Sequence, residues 1–333
     1  MINLVVKRYC VIRSLFKKSV ILLAVMGVVY GAGRLYFAIT GGFTEGNINS
    51  NLSYDPRWEV HSLSLTEVVA IDKALDQPFD YLSKGCQSYV FLSRDGNYVI
   101  KFFKYQRFRP QPWFQPFTFI PSVQRYQQRK AIERKDKLDR VFRSCTIAYE
   151  HLPIEAGLVY LHLNKTPDWN KTLMVYDKLH IKHTLQLGNM EFIVQRRATL
   201  LAPAINSLMA NGKIEEAETL IDRLFVMLLM EYARGYADND HALMQNTGVL
   251  DGHPIHIDIG QFVYNEIVTS SDVYYQEMYD KLFLFYIWLK KHHPELAFHL
   301  KTRLVMLMGP EYYYKAPYHH KGDVGKIPNQ GTE

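Results

Sequence analysis

Asp238, Asp240, Asn246 and Asp258 lie close together in the stretch from Gly235 to Phe262, GYADNDHALMQNTGVLDGHPIHIDIGQF. The pattern predicts a polar loop, a short strand, an Asp251-Gly252 turn, and a second strand from Pro254 to Ile257 that runs into Asp258-Ile259-Gly260. Asp-Gly between two apolar runs is a hairpin signal. Such a hairpin, with an asparagine at one end and Asp-x-Gly at the other, brings two oxygen ligands together. A hard cation such as magnesium takes ligands of this kind, with phosphate oxygens in its remaining positions. A carboxylate upstream of the asparagine would then orient a nucleophile. The same residue types also build ordinary turns.

A second group of candidates lies earlier. Arg94-Asp95-Gly96-Asn97 separates SYVFLS from YVIKFFKY, which predicts another tight hairpin. Lys101 stands in its second strand among Val99, Ile100, Phe102 and Phe103. A lysine in that setting needs an anionic partner if its head turns inward. An outward lysine on an alternating strand is the other reading.

The order of these features resembles the protein-kinase-like superfamily. Gly85-x-x-Ser88-x-Val90 is similar to the end of a nucleotide-covering glycine loop, with Ser83 and Ser88 where glycines are usual. Val99-Ile100-Lys101 resembles the strand lysine that pairs with nucleotide phosphates. The resemblance implies an α+β, two-lobed fold: an antiparallel sheet plus a helix in the first lobe and a mainly helical second lobe. It implies ATP and Mg2+ as cofactors. Asp240 would act as the catalytic-loop aspartate, with Asp238 as the alternative. Asn246 and Asp258 would hold the metal, and Gly260 would permit the turn behind it. Gly85, Ser88, Val90 and Lys101 would bind the nucleotide, and either Glu133 or Glu150 would pair with Lys101. No His-Arg or His-Gly precedes Asp240, and the interval to Asn246 is one residue longer than usual. His241 reads as structural. The resemblance spans roughly residues 79 to 262 and suits a reduced or atypical member. It implies a phosphotransferase acting on an unknown protein or small-molecule acceptor. The alternative is an inactive pseudokinase serving as a binding or scaffold module.

The elements that must position these residues follow the chain. Residues 1–18 form a basic tail carrying Lys7, Arg8, Arg13, Lys17 and Lys18 and no acid. The apolar run over 19–39 suits a membrane-spanning helix, with Arg34 snorkelling near the far interface. A cleaved signal peptide, for which Gly31, Ala32 and Gly33 offer small residues, is the other reading. An anchor of this kind makes a single-pass membrane protein with its amino terminus in the cytoplasm and the globular part on the far side. Residues 40–64 read as a linker, followed by a short helix capped at Ser64 or Thr66 with Glu67 in its first turn.

The first lobe is expected over 65–179. It contains a basic aromatic insertion from Tyr105 to Phe119, a long helix from Ser122 to Leu152 and a crossing at Tyr176-Asp177-Lys178-Leu179. The second lobe is expected over 180–309, with helices at 192–210, 214–234, 273–291 and 295–307, and a mobile tail over 310–333. The helix over 214–234 is apolar nearly all round, which predicts burial beneath the polar loop. A net charge of +6 without a basic, aromatic-interleaved patch argues against nucleic acid as a partner. Cys10, Cys86 and Cys145 show no paired spacing and imply neither a disulfide framework nor a zinc site. Asn51, Asn164 and Asn170 lie in glycosylation sequons.

Overall fold

The computed structural model describes residues 2–61, 63–110 and 116–310, and leaves undescribed the side chains of the first fifteen residues. The expected tail beyond Pro310 and the middle of the Tyr105–Phe119 insertion lie outside the described residues. The chain opens with α1 (Ile2–Thr40), whose segment Phe16–Thr40 is long and apolar enough to cross a membrane. Its side chains from Phe16 to Ile39 are exposed.

The segment expected to be a linker packs instead. It holds α2 (Glu45–Ile48) and a single 3-10 turn at Pro56–Trp58. Phe43, Ile48 and Trp58 are buried, and the Phe43 ring lies edge-on to Tyr89 and Phe91. Helix α3 (Leu65–Leu75) starts at Ser64 through a capping box: the Glu67 amide donates to Ser64 Oγ, and the Ser64 amide donates to Glu67.

Seven strands form one mixed sheet in the order β4-β7-β3-β2-β1-β5-β6. They are β1 (Phe79–Lys84), β2 (Ser88–Ser93), β3 (Tyr98–Phe103), β4 (Leu158–His162), β5 (Thr172–Tyr176), β6 (Lys182–Gln186) and β7 (Phe192–Arg196). All pairings are antiparallel except β1 with β5. The Arg94–Asn97 turn forms as expected, with Asp95 Oδ1 accepting the Asn97 amide at 3.0 Å. On one face, Ile100 and Phe102 join Phe79, Phe91, Val175 and Phe192 under α3 and the segment after α1. On the other, α4 (Pro121–His151) packs Leu138, Val141, Phe142 and Cys145 against Phe103, Leu161 and Ile193. Strand alternation places Lys101 on the same face as Phe103, beneath α4.

Two expectations change here. Residues Tyr176–Leu179 do not cross between parts of the molecule; they enter the β5–β6 turn. The expected helix at 192–210 divides into β7, β8 (Thr199–Leu200) and α5 (Leu201–Ala210). Phe192–Val194 is a short apolar run, followed by Gln195 and Arg196, that periodicity alone does not separate from a buried helix. Its pairing with both β3 and β4 decides it.

The helical part follows, with α5, α6 (Ile214–Ala233), α8 (Ser271–His292) and α9 (Pro294–Met308) around one core. Between α6 and α8 run β9 (Tyr236–Asp238), α7 (Leu243–Asn246), β10 (Thr247–Leu250), β11 (His253–His256) and β12 (Phe262–Tyr264). Strand β12 returns to pair with β9, closing the polar stretch into a compact unit.

Candidate functional site

The β10–β11 hairpin forms at the expected turn, with Asp251 and Gly252 at φ 50° and 77°. Two positive φ angles are what the tight primed hairpin turn demands. The hairpin ends join Asn246 to the Asp258 loop: the Asn246 carbonyl accepts the Ile257 amide at 2.7 Å and the Asp258 amide at 3.5 Å. Asp258 is exposed, and its Oδ1 accepts the Gly260 amide at 3.1 Å. Asn246 is buried, and its side-chain amide nitrogen has no hydrogen-bond partner among the described residues.

From the sheet side, Lys101 Nζ donates to the Ile257 carbonyl, beside Asp258. Burial pulls Lys101 below the ordinary lysine range, while the Asp258 charge opposes that fall. A Cβ at Gly260 would stand 2.7 Å from Gln87 Oε1, which shows how closely the Gln87 side chain, from the Gly85–Ser88 turn, comes down on this loop. That turn is braced by its own cations. Lys104 donates to the Gly85 carbonyl and Arg107 to the Cys86 carbonyl. Burial and the charges of Lys84 and Arg107 bring Lys104 down to about 8. Ser88 and Val90 lie in β2, with Ser88 paired to Phe103 and Val90 to Lys101.

Helix α4 also reaches this loop. Ser144 Oγ donates to the Ile259 carbonyl at 2.6 Å and accepts the Phe262 amide at 2.6 Å. The side chain near Lys101 and Asp258 on this helix is Cys145, whose thiol burial pushes up well beyond its ordinary range. Neither glutamate expected there approaches Lys101. Glu133 pairs with Lys130 and Arg129 on the exposed first half of α4, and Glu150 faces His61. The apolar stripe of α4 pointed to this face, and Ser144 and Cys145 lie on it where a carboxylate was sought.

The two aspartates of the polar loop are placed differently. Asp238 is 3% exposed and accepts Lys281 Nζ at 3.2 Å, and its backbone carbonyl accepts the same ammonium at 2.8 Å. Its Oδ1 also takes the Asp240 amide at 3.1 Å. Asp240 is half-buried, with Oδ1 on the Ala242 amide at 3.0 Å. His241 Nε2 donates to Glu277 Oε1 at 2.7 Å. Beneath the loop, His256 meets Glu231 at 2.7 Å with both side chains 1% exposed. A glutamate inside the apolar α6 and a histidine inside an apolar strand were the sequence signals of that pair.

A group of three or more His, Cys, Asp or Glu side chains able to hold a metal is absent among the described residues. Asn246 and Asp258 meet through the backbone, with the Asp258 carboxylate exposed beside the buried Asn246 side chain.

No protein-family profile matches the chain, and no curated protein matches it. Among solved structures it is similar to the bifunctional kinase-methyltransferase WbdD, at 14% identity and a TM-score of 0.34. That match covers 69% of this chain and 45% of the other, so the chain spans less than half the length of that structure.

Proposed function

We propose that this chain is a membrane-anchored, two-lobed kinase-like protein that binds ATP with Mg2+ between its sheet and its helical part. The observation that carries the reading is the convergence on one loop of Lys101 from β3, Gln87 from the turn before β2, and Asn246 beside Asp258. Positioning and charge neutralisation are most of what phosphoryl transfer requires of a protein. Lys101 would steady the phosphates. Asn246 and Asp258 would hold the metal, which when bound offsets phosphate charge. Asp240 is the half-exposed carboxylate of the loop and would orient an acceptor hydroxyl. Asp238, held by Lys281, would brace the loop. α1 would anchor the chain, with the basic amino-terminal flank in the cytoplasm.

A second reading, nucleotide binding without transfer, has its own support. Cys145 stands near Lys101 where the resemblance expects a glutamate, and Lys101 is engaged by a backbone carbonyl. The two readings differ in Asp240.

Nucleotide binding by the full chain in proteoliposomes, with and without magnesium, tests the reading. Asp258→Ala and Lys101→Ala should both weaken magnesium-dependent ATP binding. Asp240→Ala should abolish phosphate release or transfer while binding persists. Wild-type binding without any transfer favours the second reading. A wild type that binds no nucleotide removes both.

A further inference from the structure

The β5–β6 turn lies beside the end of α1, at the same end of the sheet as the Gly85–Ser88 turn, because β5 runs parallel to β1. Asp177 builds it from within: its Oδ1 accepts the amides of Leu179 at 2.8 Å and Ile181 at 3.0 Å. His180 occupies the left-handed region, at φ 58°, between them. His183 then locks the base, meeting Asp177 at 3.2 Å and Glu45 of α2 at 2.8 Å. The turn is therefore fixed to the segment that directly follows α1. Its two apolar side chains nevertheless face outward, with Leu179 45% and Ile181 53% exposed.

The turn also grips α1. Lys178 Nζ donates to the Ala38 carbonyl at 2.9 Å, and Lys84, at the end of β1, donates to the Gly41 carbonyl at 2.8 Å. Lys84 also lies 3.7 Å from the Phe37 ring centroid. Cations suit the last carbonyls of a helix, where the backbone dipole is negative. Arg34 lies four residues before Ala38, about 6 Å along the axis at the rise of a helix. If α1 spans a bilayer with Arg34 at its interface, the turn stands at headgroup level.

We infer that the β5–β6 turn is a second membrane contact, with Leu179 and Ile181 entering the interface and Lys178 and Lys182 facing anionic lipid headgroups. The inference rests on the membrane reading of α1. Two independent features favour a lipid occupant. The turn is continuous with the end of the one candidate span among the described residues. It also pairs exposed apolar side chains with lysines, the composition of interfacial anchors. A rigid turn hooked to the helix would hold the sheet edge against the bilayer and fix the direction in which the cleft opens.

The test uses the full chain with Cys10→Ser and Cys86→Ser, reconstituted in phosphatidylcholine–phosphatidylglycerol vesicles. An environment-sensitive dye is attached at Ile181→Cys, with Leu179→Cys as a second site in case the first perturbs the turn. Val25→Cys reports on the span, and Phe298→Cys on the helical part. The expected result is a blue-shifted emission at 181 or 179, quenched by a shallow nitroxide lipid, with no quenching at 298. Quenching at 181 and 179 should fall in pure phosphatidylcholine. Quenching at 25 with both turn sites behaving like 298 overturns the inference and leaves the anchor standing. A label at 25 that no nitroxide lipid quenches removes the anchor and the inference together. Equal quenching in neutral and anionic vesicles overturns the assignment of anionic lipid to the lysines.

Discussion

Below the cleft, Glu231 with His256, Asp238 with Lys281 and Glu277 with His241 form three ion pairs, and all but His241 are buried. Above it, Lys101 meets a backbone carbonyl and lies near a buried thiol, and α4 holds the Asp258 loop through one serine hydroxyl. The lower wall is a charged framework whose members cannot be removed singly without stranding a partner. The upper wall closes on it with few and mostly uncharged contacts. The Asp258 loop is therefore held by charged pairs on its helical side and by a few hydrogen bonds on its sheet side.

The sharpest way to break this contrast is to strand a charge below the cleft. Glu231→Ala leaves His256 buried without its carboxylate, and loss of one member of such a pair costs about 3–5 kcal/mol. Chemical denaturation should register that drop, and a loss no larger than that of an exposed pair would mean the framework is soft. Above the cleft, Ser144→Ala leaves the Ile259 carbonyl and the Phe262 amide unpaired. The expected cost is about 1–3 kcal/mol, together with weaker magnesium-dependent ATP binding. Unchanged binding in a folded Ser144→Ala protein would show that α4 does not position the loop.

A pH scan separates the walls further. Burial opposes a charge on His256, but the charge and hydrogen bond of Glu231 raise it above the ordinary histidine range. A raised folded-state value makes the stabilisation full below the unfolded value of about 6.5, and removes it as pH rises through the folded value. Wild-type Tm should therefore decline as pH rises above about 6.5, and His256→Gln should flatten that decline. His183 and His241 are raised as well, so their share of the slope will remain in that variant. Parallel pH profiles for the two proteins would exclude a charged His256. The smallest effect is expected from Glu133→Ala and Glu150→Ala. Both side chains lie on the outer surface of α4, and nucleotide binding by either variant should match the wild type. A loss of binding comparable to that of Lys101→Ala would restore a glutamate partner.

Local chemistry carried much of the architecture. The Ser64 cap, the Asp95-Gly96 and Asp251-Gly252 turns, and the long helices at 121–151 and 214–233 could all be read from residue type and period. Each depends on neighbours a few residues away, so the sequence states it directly. The same holds for the apolar span in α1. The juxtaposition of Asn246 with Asp258 was also legible, because one short hairpin joins them.

What the sequence left open depended on partners far along the chain. Phe192–Arg196 became a strand because β3 and β4 flank it, and the three apolar residues Phe192–Val194 alone do not choose between buried strand and buried helix. The residues after α1 look like a polar linker, yet Phe43 and Ile48 find the sheet's open face and bury there. Asp238 and Asp240 are equivalent as letters. Lys281, 43 residues on, claims Asp238 and leaves Asp240 half-exposed. Glu133 and Glu150 failed as partners of Lys101 because helix phase and the approach of the Asp258 loop put Ser144 and Cys145 on the facing side. Burial of a charge is set by everything that packs around it, and only the assembled fold supplies that surrounding.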